Sequence, residues 1–206
     1  EAQPNNCMTG MWSNMYCGVK RSNDLLKYAN EHQQHLPAAS YKLWTAEART
    51  LRAYYYNMLW KFWGNIPFYF ENLSAQFRAP QLSADDVYNK VIADLEDVIS
   101  MKVLPTRWDN ANLGRVTQPT AYMLYAEMVM YQKDQSRYPK ALEYMQEIIN
   151  SGKFNLNPNY ADLFTAAGEW GDESIFEVNY SDLKTNRGWS TGDAIIAGGT
   201  VLPRLA

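Results

Sequence analysis

Apolar residues recur at helical spacing through most of the first 150 positions. Met11, Met15, Val19, Ser22, Leu26 and Ala29 follow one another at steps of three and four, which predicts a helix from Gly10 to Glu31. Leu36-Pro37 breaks it, because proline cannot continue an interior helical turn. The clearest pattern comes next. Trp44, Ala48, Leu51, Tyr55, Met58 and Phe62 are spaced 4, 3, 4, 3 and 4, a continuous stripe expected to face the core. Gly64 is placed to cap that helix at its C-terminal end. Pro67 lacks the N–H a central strand needs, so Asn65–Phe70 reads as an extended crossing segment.

Ser83 is a good N-cap, and Asp85 and Asp86 favour the first turn of a third helix whose apolar face is Val87, Val91, Leu95 and Val98. Pro105 falls in the loop beyond it. Thr117-Gln118-Pro119 opens a fourth helix, with Ala121, Leu124, Met128 and Tyr131 on one face. Tyr138, Ala141, Leu142, Met145, Ile148 and Ile149 mark a fifth, stopped at Ser151-Gly152. Glu173–Tyr180 alternates at period two and reads as the one convincing strand. Beyond it Gly188, Gly192, Gly198 and Gly199 predict irregular loop. The expected class is therefore mostly all-α: stacked, tetratricopeptide-like helix pairs with long irregular loops and little strand. The fourth and fifth helices resemble one such pair, a repeat of about 34 residues.

Composition narrows the function classes. The chain has 206 residues, a net charge of −3 and no basic stripe, which excludes a sequence-independent nucleic-acid binder. Seven Trp and fifteen Tyr stand against seven Phe, so most aromatic rings carry a polar handle suited to sugar stacking or to wet helix packing. No apolar run is long enough to span a membrane, and polar Glu1–Cys7 precedes no apolar stretch of the kind a signal peptide carries. The sequence is expected to be a piece of a longer protein, with any targeting signal upstream.

Several motifs suggest chemistry and are better read otherwise. Gly188-Trp189-Ser190-Thr191-Gly192 matches a nucleophile elbow, but no core strand precedes it and both histidines, His32 and His35, lie upstream. His32 and His35 share one turn without further ligands at metal-site spacing. Asp109–Gly114 starts like a calcium loop but has Ala111 and Leu113 at ligand positions. Cys7 and Cys17 fit neither a zinc nor a redox spacing. Carboxylate pairs such as Asp85 with Asp86, Glu96 with Asp97 and Asp172 with Glu173 read as solvated helix faces rather than a glycosidase pair.

The run Ala46-Glu47-Ala48-Arg49-Thr50-Leu51-Arg52-Ala53-Tyr54-Tyr55-Tyr56, continuing to Trp63-Gly64-Asn65-Ile66-Pro67, resembles the SusD/RagB family of outer-membrane, glycan-binding lipoproteins. Leu113-Gly114-Arg115-Val116-Thr117, Tyr138-Pro139-Lys140-Ala141, Ile148–Leu156, Tyr160–Phe164 and Glu173–Val178 resemble further landmarks in the same order. The resemblance implies a helical scaffold over residues 1–180, incomplete at its N-terminus, and the start of a loop-rich ligand-binding region over 181–206. It implies capture of oligosaccharides or polysaccharides without catalysis or a cofactor, and delivery to a SusC-type, TonB-dependent transporter. RagB-like members imply a peptide or glycoprotein-fragment cargo, and the further alternatives are an all-helical glycoside hydrolase and a plain tetratricopeptide scaffold that binds only protein. The implied location is the outward face of the outer membrane, held only by a lipid anchor outside this chain. The family's binding arc draws on the loop after the last strand, which nominates Trp189 with Asn186 and Arg187 as ligand-binding residues. Trp108 and Trp170, also in loops, are the other candidates; Trp44, Trp60, Trp63 and Tyr54–Tyr56 are expected to pack, and Trp12 is ambiguous.

Overall fold

The computed structural model describes residues 6–74 and 78–178. Five helices carry the chain: α1 (Asn6–Glu31), α2 (Ala38–Trp63), α3 (Ala84–Met101), α4 (Gln118–Gln132) and α5 (Tyr138–Asn150). Each packs on its neighbours in sequence, and α2 also reaches α4. A two-residue antiparallel ladder pairs β1 (Ile66–Pro67) with β2 (Gln81–Leu82), Ile66 opposite Leu82. The chain is thus mostly all-α, as the periodicity predicts.

The helix ends follow from local chemistry. Ser83 Oγ accepts from the Asp86 N–H, and Asp85 and Asp86 occupy the positive first turn of α3. Thr117 and Thr120 cap α4 reciprocally, each hydroxyl accepting the other's backbone N–H. Gly64 closes α2 at φ +67°, a conformation glycine adopts without strain, its N–H donating to Trp60 O at 2.9 Å. Val87, Val91, Leu95 and Val98 are all buried, as their spacing requires.

The stripe on α2 behaves differently from its sequence reading. Ala48 is buried and Leu51, Tyr55 and Met58 are half-buried, but Trp44 is exposed and Phe62 is 53% exposed. The most buried positions, Ala46, Thr50, Ala53, Tyr56, Asn57 and Trp60, lie on the other side of the helix. The reason is that α2 is central: α1 meets one side and α3 and α4 the other. The deepest face includes polar side chains that hydropathy misses, such as Thr50, whose Oγ1 donates to Ala46 O at 2.8 Å.

Residues 173–178 form no strand among the described residues. Their alternation serves a loop instead. Glu173 Oε2 accepts the Asn157 N–H at 2.8 Å and Glu177 Oε1 accepts the Trp170 N–H at 2.7 Å, while Phe176 packs edge-on to Tyr54 at 6.2 Å. Residues 179 and 180, which complete the expected strand, lie outside the described residues.

The family-like motif on α2 works as a set of ionic clamps. Arg49 reaches Asp94 at 2.6 Å and Asp97 at 2.7 Å on α3. Arg52, with only 6% of its side chain exposed, reaches Asp94 at 3.0 Å, Asn23 Oδ1 on α1 at 2.9 Å and Phe70 O at 3.1 Å. Glu47 receives a two-pronged contact from Arg115 at 2.8 and 2.9 Å. One helix thereby holds α1, α3, the crossing segment and the loop before α4.

Candidate functional site

Trp189, Asn186 and Arg187 lie outside the described residues, as does the Gly188–Gly192 elbow motif. The other two loop tryptophans, both half-buried, are tied into the surrounding loops. Trp108 Nε1 donates to Val116 O at 2.9 Å, and the Arg115 guanidinium covers its ring at 4.1 Å. Trp170 lies against Gly114, and its carbonyl accepts from Arg107 Nη2 at 2.9 Å. Arg115 covers one face of the Trp108 ring, and the edge of the Trp170 ring lies beside Gly114.

A different aromatic group is open. Trp12 and Tyr16 sit one turn apart on α1, with ring centroids 4.7 Å apart, and Lys20 continues the same face. Trp63, at the end of α2, meets Trp12 edge-on at 5.1 Å and 80°. Tyr69, in the crossing segment, lies nearly parallel to Tyr16 at 6.1 Å and 16°. Trp12, Tyr16 and Tyr69 border a cavity of about 480 Å³, rimmed by Lys20, Asn72 and Arg78.

The crossing segment that carries Tyr69 is fixed carbonyl by carbonyl. Tyr16 OH donates to Pro67 O at 2.7 Å, Tyr56 OH to Tyr69 O at 2.6 Å, and Arg52 to Phe70 O. The Tyr69 N–H returns a bond to Tyr56 OH at 3.0 Å, so that buried hydroxyl is satisfied twice. Asn72 Nδ2 continues the attachment, donating to Lys20 O at 3.1 Å and Asp24 Oδ1 at 2.6 Å, while its Oδ1 has no protein partner. Burial, and then the neighbouring Tyr56 and Tyr69, push the Tyr16 hydroxyl well above the ordinary tyrosine range, so it stays a donor.

Among the described residues, the lining holds no carboxylate, histidine or cysteine; its polar side chains are Tyr16, Lys20, Tyr69, Asn72 and Arg78. Flat apolar rings beside hydrogen-bonding groups suit a sugar, whose ring has an apolar C–H face and an edge of hydroxyls. Elsewhere, His32 lies tilted against Tyr28 at 4.4 Å and 50°, Asp109–Gly114 forms a turn closed by Asn112 on Asp109, and Cys17 is a free, half-buried thiol. No group of three His, Cys, Asp or Glu gathers among the described residues. The cleft was hidden in the sequence because its rings come from α1 and the crossing segment, far apart in the chain; the local signal was Trp12, Tyr16 and Lys20 at steps of four.

Residues 1–130 match the SusD-like family model described as starch-binding, associating with the outer membrane. The chain belongs to the SusD-like family. Surface glycan-binding protein A from Bacteroides uniformis is 53% identical, over 87% of this chain and 40% of that one, with a TM-score of 0.82. Surface glycan-binding protein A from Bacteroides thetaiotaomicron, in complex with laminarihexaose, is 47% identical over 98% of this chain and 41% of that one, with a TM-score of 0.85. SusD-like protein P25 from Formosa agariphila is 24% identical over 82% of this chain and 32% of its own length. This SusD-like chain therefore spans about a third of that curated relative and about two-fifths of the two solved ones.

Proposed function

We propose that the protein captures glycans at the outer membrane without cleaving them, and that its cargo is a β-1,3-linked glucan of the laminarin type. The observation that carries this reading is the open cleft of Trp12, Tyr16 and Tyr69, whose rim offers hydrogen-bonding groups and no catalytic pair. The choice of glucan rests on the laminarihexaose held by the Bacteroides thetaiotaomicron relative. Trp189, Asn186 and Arg187 are proposed as further contacts from the loop-rich region that begins after residue 180. Loaded protein then passes its oligosaccharide to a SusC-type transporter while an upstream lipid anchor holds it outward-facing.

Calorimetric titration of the full-length protein with laminarihexaose tests this. Saturable binding with no release of reducing sugar is expected, and Trp12→Ala should weaken it by about tenfold or more, which is ~1.4 kcal/mol. Trp12→Phe, which keeps a ring, should retain most of the affinity. Binding unchanged in Trp12→Ala would remove the cleft from the site, and sustained sugar release by pure protein would overturn the non-catalytic reading.

A further inference from the structure

On the α3–α4–α5 side, away from the elements that build the aromatic cleft, a smaller cavity of about 240 Å³ opens between Lys102, Gln118, Tyr122 and Glu147. Gln118 is the first residue of α4 and is only 6% exposed. Its Nε2 donates to Ile99 O at 3.0 Å, but its Oε1 has no partner in the protein. That oxygen is shut off from solvent, and Gln118 serves to hold the start of α4 against the end of α3. Around it, Lys102 donates to Tyr122 OH and Tyr122 donates to Glu147. Lys102 also reaches Glu147 Oε2 at 3.0 Å. Tyr122 is held in place by parallel stacking on Tyr144 at 4.4 Å and 7°.

We infer that this cavity is a second sugar site, built for one uncharged hexose unit. Three properties choose the ligand class. The first is charge. Lys102 and Glu147 already neutralise each other, so an anion would meet Glu147 and a cation would meet Lys102 with no net gain. The Tyr122 hydroxyl, ahead of Lys102, holds the Glu147 carboxyl below its ordinary range, so it remains an ionised acceptor. The second is valence. The site offers an acceptor on Glu147 and a donor on Lys102, and adjacent hydroxyls that both donate and accept match that mixture. The third is size and shape. At ~30 Å³ per water the cavity holds about eight waters, comparable in bulk to one pyranose ring. Leu104, Pro119 and Ile148 complete the lining with apolar surface for the C–H face of such a ring.

The inference is independent of the aromatic cleft, and the test separates the two. Methyl β-D-glucopyranoside is titrated into the full-length protein and followed by NMR, alongside glucuronate and glucosamine as charged controls. Saturable, millimolar binding of the neutral glycoside is expected, with shifts at Gln118 and Tyr122. Glu147→Gln should weaken it by about tenfold, the loss of one charge-assisted hydrogen bond. The glucoside-induced shifts at Gln118 and Tyr122 should persist in Trp12→Ala, and Glu147→Gln should leave laminarihexaose binding at the cleft unchanged. No saturable binding, equal affinity in Glu147→Gln, or a preference for either charged control would each overturn the second site. Loss of laminarihexaose binding in Trp12→Ala alone bears only on the cleft.

Discussion

At the scale of single residues, Asp94 carries an unusual load. It faces both Arg49 and Arg52, and its own side chain is only 11% exposed. Forming such a pair repays its desolvation only in part, but removing one partner strands a buried charge. Asp94→Ala should therefore destabilise the protein by about 3–5 kcal/mol, measured as a drop in unfolding free energy in urea. A change below about 1 kcal/mol would show that water reaches the two guanidinium groups in the variant. Trp108 teaches a similar lesson. An indole in a loop looked available to a ligand, yet Val116 O takes its N–H and Arg115 takes its face. Availability is decided by neighbours far along the chain, which no local pattern contains.

At the scale of elements, α1 and α2 approach closely because Gly18 lacks a side chain: a Cβ there would lie 2.4 Å from the Tyr55 ring. The two-sided burial of α2 sets the cost of truncating it. Leu59 is fully buried, so Leu59→Ala should cost about 2–5 kcal/mol, whereas half-buried Leu51 should lose roughly half as much. Equal losses at the two positions in urea unfolding would contradict this assignment of faces. The turn between α4 and α5 adds a pH dependence. Ser136, then Arg137 and Tyr88, hold the Asp134 carboxyl down to about 2, below its ordinary 3.8. A lowered folded pKa stabilises the fold above the unfolded value, and that stabilisation is lost as pH falls through the folded one. The stability advantage of wild type over Asp134→Asn should be complete above pH ~4 and fade towards pH ~2. Urea midpoints of both proteins across that window check it; a constant difference would count against the assignment.

At the scale of the whole molecule, the scaffold holds the aromatic cleft in place through α2, and the region after residue 180 is proposed to supply further contacts. Trp189 lies in that region, and the proposal that it touches glycan predicts a particular separation of effects. Trp189→Ala in the full-length protein should lower laminarihexaose affinity with the thermal midpoint nearly unchanged. A lower midpoint with affinity intact would make Trp189 a loop anchor like Trp108 and Trp170, and the family's loop would then not carry over to this residue.

What the sequence determined by itself is the set of helices, their caps and the family. These rest on interactions within a few residues: periodic burial along α3, a hydroxyl on the first turn at Ser83 and Thr117, a left-handed stop at Gly64. Short-range geometry is written in consecutive residues, so it can be read from them. The motif Ala46–Ala53 was legible as a resemblance, but its work was not, because Asp94 and Arg115 lie far along the chain from the residues they clamp. Only the tertiary structure decided which face of α2 is buried, that residues 173–178 tie a loop instead of pairing as a strand, and which aromatic rings stay open. Each of these depends on what packs opposite: a second helix layer hides polar Thr50, a carboxylate facing a backbone N–H replaces a strand partner, and the fixed crossing segment brings Tyr69 to Tyr16 across 53 positions of sequence.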